Sequence, residues 1–191
     1  MEELLKKAME DGENLLWSAR PEKFEPLDKT YKPIFLRKLI ISLLVGVVIS
    51  VGYILLARKS EVEIKWGFFV IVWAFCAISP IGIFRDAKAL AKSTVYGITD
   101  KRLITVANSD AVRTVAYEKL EQAELYTDED GHTSLICGRA DGKKPGGNLR
   151  GAATSAVSTG ADEEKCDRFV MYAVPQSDKI RKLLAGHVTV K

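Results

Sequence analysis

The chain has 191 residues, with 28 lysines and arginines against 25 acids and a formal net charge of +3. So small an excess, with lysines interspersed among acids and no basic patch interleaved with aromatics, excludes the electrostatic footprint of a nucleic-acid binder. Three scattered cysteines, Cys76, Cys137 and Cys166, lack metal-ligand spacing and suit a reducing compartment, which argues against a disulfide framework and against a zinc site.

Residues 1–34 form an N-terminal segment. It opens with a short helical pattern, Leu4, Leu5 and Ala8, interrupted at Asp11-Gly12. An apolar knot follows, Leu15, Leu16 and Trp17, ahead of Pro21 and Pro26. The knot is read as a short strand or as a lid packed on the later domain, because the two prolines break an interfacial helix.

The next two elements decide the solvent. Leu39–Ala57 and Trp66–Phe84 are uncharged apolar runs of about 19 residues, and a helix of that length spans roughly 28 Å, close to the hydrocarbon thickness of a bilayer. Allowing for flanks, residues 35–57 and 66–84 are predicted to be transmembrane helices joined by a short charged loop, 58–65. Two core helices of a soluble bundle would need a large polar shell to cover them, and the remaining chain is too small and too β-like to supply one. A cleaved signal peptide is excluded because about 38 mostly polar residues precede the first run. Pro80 near the end of the second run marks a kink or a stop.

Lysine and arginine placement sets the expected orientation. Lys29, Lys32, Arg37 and Lys38 precede the first span, and Arg85, Lys88, Lys92, Lys101 and Arg102 follow the second. The loop carries Arg58, Lys59 and Lys65. Both termini are therefore expected in the cytoplasm of a multi-pass protein of the cell (inner) membrane, with Arg37, Lys38, Arg85 and Lys88 meeting anionic headgroups. Ser42, Gly46 and Ser50 recur every four residues on one helix face, where backbones approach closely. The second helix of the same hairpin is the first partner to consider for that face, and a second copy of the chain the alternative.

Arg85 to Lys92 continues as a polar helical extension, and the texture then changes to β. Thr94–Thr99 and Arg102–Ala107 read as strands joined by a tight turn at Asp100-Lys101. Val112–Leu120, Glu121–Thr127 and His132–Gly138 follow, with turns at Asn108–Ala111 and Asp128–Gly131. Residues 139–165, rich in Gly, Ala and Ser, are expected to be a long flexible loop. Asp167–Val174 is a last strand. Pro175–Asp178 then opens a helix carrying Ile180, Leu183 and Leu184 at helical spacing and ending near Gly186.

This order, together with Tyr96-Gly97-Ile98-Thr99-Asp100-Lys101-Arg102-Leu103-Ile104, resembles the bacterial pleckstrin-homology-like (PH-like) membrane proteins, whose strand-turn-strand signature follows a pair of membrane helices. Secondary matches are Gly12-Glu13 with Leu15–Pro21, Asp130-Gly131 before a strand, and the final strand and helix. The resemblance covers most of the chain. It implies an α+β membrane protein in which residues 85–191 form a small PH-like β-barrel or sandwich capped by a C-terminal helix. The signature residues Tyr96, Gly97, Thr99, Asp100 and Arg102 then read as architecture. Asp100 supplies turn chemistry, and Arg102 either snorkels or pairs with Asp100. The sharper alternative gives Lys101 and Arg102 a phosphate-binding role, because PH domains hold phosphoinositides with basic residues near such loops. The long insert after Cys137 departs from the family pattern.

No catalytic, cofactor-binding or metal-ligating set emerges. The two histidines, His132 and His187, lie far in sequence from a nucleophile. Gly138–Lys144 fails as a phosphate loop in spacing and in its last residue. The Asp128–Asp130 turn lacks calcium-loop spacing. No Asp, Glu, Lys, Arg or His interrupts either apolar run, which argues against an ion or proton pathway. The expected function is that of a non-catalytic, membrane-anchored PH-like module acting by protein interaction or scaffolding at the cytoplasmic face. The alternatives are an anionic-lipid surface sensor reading headgroups through Arg37, Lys38, Arg85, Lys88, Lys101 and Arg102, and an enzyme of membrane lipid or peptide metabolism.

Overall fold

The computed structural model describes residues 2–107, 111–138, 148–154 and 168–190. The chain divides into two compact units, one made of Met1–Glu25 with Asp86–Lys191 and the other of Pro26–Arg85. The class is α+β, with two long apolar helices followed in sequence by sheets.

In the hairpin unit, helix α2 runs from Tyr31 to Lys59, preceded at the N-terminus by a short helix α1 (Glu2–Ala8) and a strand β1 (Leu15–Ala19) of the other unit. The Asp28 carboxylate accepts the Tyr31 N–H at 2.9 Å, which satisfies a backbone donor that the start of α2 leaves open. Helix α3, Trp66–Ile78, packs antiparallel to it. Pro80 does not stop the chain. A 3₁₀ turn, Ser79–Ile81, absorbs the missing N–H, and helix α4 resumes over Gly82–Ser93. Tyr31–Lys59 and the helical stretch Trp66–Ser93, which runs from α3 through the 3₁₀ turn into α4, are both long and apolar enough to cross a membrane, and only 11% of the most apolar window of each is buried. A core helix of a soluble protein would be mostly buried, so this exposure favours lipid as the solvent. At the loop end, Tyr53 stacks on Phe68 with ring centroids 4.2 Å apart, and its hydroxyl accepts the Lys65 N–H at 3.1 Å. This cluster of amphipathic and aromatic rings suits a membrane interface.

Among the described residues the other unit has two four-stranded sheets. The first has order β1-β2-β3-β4, with β2 Val95–Thr99, β3 Arg102–Ala107 and β4 Ala111–Ala116, all antiparallel. The second has β5 Gln122–Thr127 and β6 Thr133–Gly138 at its centre, β7 Arg168–Met171 at one edge, and a two-residue strand β8, Thr189–Val190, running parallel to β5 at the other. Neither sheet closes into a barrel. Side-chain alternation explains the main core: Trp17, Tyr96, Ile98, Leu103 and Val115 of the first sheet and Ala123, Leu135, Cys137, Phe169 and Met171 of the second are all buried in it. Helix α6, Ser177–Leu184, adds Ile180 and Leu184 to the same core. The opposite face of the first sheet carries Val95, Ile104 and Val106, which α1 covers with the fully buried Leu5.

Several expectations need correction. Of the two readings of Leu15–Trp17, strand or lid, it is a strand: β1 pairs with β2 and α1 lies on the same sheet, so residues 1–25 of the 1–34 segment group with residues 86–191. The strand expected over Val112–Leu120 ends at Ala116, where a 3₁₀ turn over Tyr117–Lys119 carries the chain to the second sheet. The expected 139–165 loop contains helix α5, Leu149–Thr154, with Leu149, Arg150 and Ala153 buried. The rest of that stretch, the phosphate-loop lookalike included, lies outside the described residues apart from Gly138 and Asn148.

Candidate functional site

The signature turn between β2 and β3 is a clamp on the N-terminal segment. The guanidinium of Arg102 reaches Glu13 through Nε and Nη2, both at 3.0 Å, and Glu10 through Nη1 at 2.8 Å. Nη2 also donates to the Ala8 carbonyl at 3.3 Å. Thr99 Oγ1 donates to the same Glu13 carboxylate at 2.6 Å and accepts the Arg102 N–H at 3.0 Å. The Glu13 side chain is fully buried, whereas that of Glu10 is 66% exposed. Burial alone would raise the Glu13 carboxyl, but the hydrogen bonds from Arg102, Thr99 and the Glu10 N–H, with the Arg102 charge, hold it below its ordinary value. Arg102 is raised in turn, first by its bond to Glu13.

Asp100 looks outward from the turn in a different way from that expected. Its carboxylate accepts the Asn14 N–H at 3.0 Å and the Asn14 amide at 3.1 Å, while its own N–H donates to the Asn14 carbonyl at 3.1 Å. The Asn14 backbone bond is the main cause of its lowered pKa. Arg102 therefore pairs with Glu13 and Glu10 and not with Asp100. Gly97 serves close packing: a Cβ there would stand 3.0 Å from Leu5 Cδ2. Tyr96 belongs to a second network, donating to the Tyr172 carbonyl and accepting the Tyr172 N–H, each at 3.0 Å. Burial drives its phenol well above the ordinary range. Tyr117, which donates to the Thr99 carbonyl at 2.7 Å, is pushed up to about 12 by burial.

That second network holds the polar cluster that sequence reasoning missed. Arg150 of α5 is fully buried, with its guanidinium carbon 4.3 Å from the Phe24 ring centroid and 5.0 Å from that of Tyr172. Its Nη2 bonds the Tyr172 hydroxyl at 3.0 Å, which donates to Asp128 at 3.2 Å. Asp128 in turn accepts the backbone N–H groups of Asp130 and His132. The two rings and the Tyr172 hydroxyl, which links the guanidinium to the Asp128 carboxylate, offset the cost of burying this cation, although its Nε has no hydrogen-bond partner among the described residues. Helix α5 is further fixed by Asp86, which accepts from Asn148 at 3.0 Å and Thr154 at 3.4 Å, and by Arg113, which donates to the Ala152 carbonyl at 2.7 Å. No signal in the Gly/Ala/Ser-rich stretch announced this. A lone arginine among small residues reads equally well as a solvated one.

The six candidate lipid contacts thus separate. Arg102 is engaged by two carboxylates, and Lys101 beside it is exposed. Lys88 is exposed on α4. Arg37 and Arg85 are exposed and Lys38 is half-buried in the hairpin unit. There Phe35 packs edge-on against Phe84 with centroids 5.6 Å apart, which brings the start of α2 and the beginning of α4 to one end of the hairpin. Of the small-residue face, Ser42 and Gly46 are buried, and a Cβ on Gly46 would lie 3.0 Å from Cys76 Sγ and 3.5 Å from the Trp73 ring, so Gly46 serves the α2–α3 contact. Ser50 is half-buried. Among the described residues no group of three or more His, Cys, Asp or Glu is placed to hold a metal. No family model, no curated protein and no solved structure matches this chain.

Proposed function

We propose that the chain is a multi-pass protein of the cell (inner) membrane whose PH-like β unit lies on the cytoplasmic side and acts as a non-catalytic interaction or scaffolding module. The observation that carries this reading is the antiparallel pairing of β1 with β2, Ala19 with Tyr96 and Leu15 with Thr99, across the whole length of the hairpin. A strand cannot pair through a bilayer. The chain that leaves after β1 therefore returns to the side it left, and a hairpin entering the membrane crosses it twice. The basic residues at the Tyr31 end then select the cytoplasm as that side. The PH-like description is supported by two four-stranded sheets sharing one core, with α6 contributing Ile180 and Leu184. The non-catalytic description is supported by the engagement of the buried charges Glu13, Asp128 and Arg150 in holding segments together.

Crosslinking in intact membranes followed by mass spectrometry tests the reading. A recurrent protein partner crosslinked through the β unit is the expected result, and repeated recovery of the chain alone would refute it. The lipid-sensor alternative has one free cation fewer at the signature turn, because Arg102 is held by Glu13 and Glu10.

A further inference from the structure

The hairpin unit contains an apolar groove between α2 and α3, of about 460 Å³, lined by Ile41, Val45 and Ile49 on one side and Val72 and Phe75 on the other. We propose that this groove holds one acyl chain of a single phospholipid, whose phosphate is bound at the groove mouth by Lys38. The site depends on the hairpin lying in a bilayer, as argued above.

Three observations point to this occupant. First, Lys38 lies three residues before Ile41, seven before Val45 and eleven before Ile49, so it stands on the same helix face as the groove lining, one turn nearer the end of the apolar run. Lys38 is half-buried, whereas its neighbour Arg37 is exposed, as expected for a side chain lying along a groove. A cation at the polar end of an apolar slot matches the order of phosphate and hydrocarbon in a phospholipid. Second, Ile41 to Ile49 covers about 12 Å of helix, which accommodates a substantial part of an acyl chain extended along the helix axis. Third, the lining is mostly branched and aromatic, with three small side chains, Ser42, Cys76 and Ser79, among it. A helix from a second copy would need small residues to approach closely, yet Gly46 is already occupied by Cys76 and Trp73 of α3, and Ser42 is buried. A thin flexible chain fits where a helix does not.

The test uses the full chain purified in detergent and incubated with mixed micelles of phosphatidylglycerol or of diacylglycerol with matched acyl chains. After detergent exchange, bound lipid is counted by native mass spectrometry. One phosphatidylglycerol retained per chain is expected. Val45→Trp fills the groove and should reduce retention of both lipids tenfold or more. Lys38→Gln should weaken phosphatidylglycerol retention about fivefold, the effect of one basic residue at a headgroup, and leave diacylglycerol unchanged. Should Val45→Trp fail to fold, judged by circular dichroism, Lys38→Gln and the lipid comparison still decide. Equal retention in the parent and both variants, no retention in the parent, or a lipid-free dimer would overturn the proposal. Release of the chain from native membranes by alkaline carbonate would instead overturn the membrane reading itself, independently of the lipid count.

Discussion

Replacing Arg102 by alanine removes the guanidinium that meets the buried Glu13 carboxylate in the clamp. Breaking a fully buried pair by deleting one partner costs about 3–5 kcal/mol, because a charge is left desolvated. Here two donors remain on Glu13, the Thr99 hydroxyl and the Glu10 N–H, and the Arg102 side chain is itself 15% exposed. The exposed Glu10 arm adds little. The expected loss is therefore about 2–3 kcal/mol, or roughly 6–9 °C in Tm for a unit of this size. Thermal unfolding of the full chain in detergent, followed by near-UV circular dichroism, reads it. The pH dependence supplies a second check. The folded Glu13 pKa lies below its ordinary 4.5, so its stabilising contribution is complete above that value and is lost as pH falls through the folded pKa. The variant keeps only the Thr99 and Glu10 bonds to this carboxylate and has less of this contribution to lose, so the gap between the two proteins must narrow below about pH 4.5. A difference under about 0.5 kcal/mol at neutral pH, or a gap that stays constant on acidification, would refute the clamp as described.

Tyr96→Phe removes both bonds that tie the first sheet to the Tyr172 backbone, and should cost about 2–3 kcal/mol in the same assay, because two buried backbone groups lose a partner. Gly46→Ile places bulk against Cys76 and Trp73 and should lower the thermal stability of the hairpin by about 1–3 kcal/mol of overpacking, whereas Gly52→Ile, at a position with nothing within 4 Å, should be nearly neutral.

The features legible in the sequence were those set by local pattern. The apolar runs showed through length and the absence of charge. The strands β2, β3, β5 and β6 showed through β-branched residues between turn signals, and α6 through Ile180, Leu183 and Leu184. The features hidden from it were set by contacts between distant segments. Glu13 and Arg102 are 89 positions apart, and nothing in either neighbourhood marks the other, so the nearer Asp100 was the natural partner to expect. Arg150 sits among glycines and alanines that carry no core signature, and its burial depends on Phe24 and Tyr172 from elsewhere in the chain. Strand β8 is two residues long and has no periodicity to read.

In the proposed topology both flanks of the hairpin lie on one side of the membrane and the 58–65 loop on the other. Its most direct test replaces the three native cysteines by alanine and introduces single cysteines at the exposed positions Lys23, Glu129 and Glu63 in turn. Each is then labelled in intact cells with a membrane-impermeant maleimide. Glu63→Cys is expected to react from outside, whereas Lys23→Cys and Glu129→Cys are expected to react only after the cells are opened. Labelling of Lys23→Cys and Glu129→Cys from opposite sides would contradict this topology, because β1 and β2 could not then form one sheet.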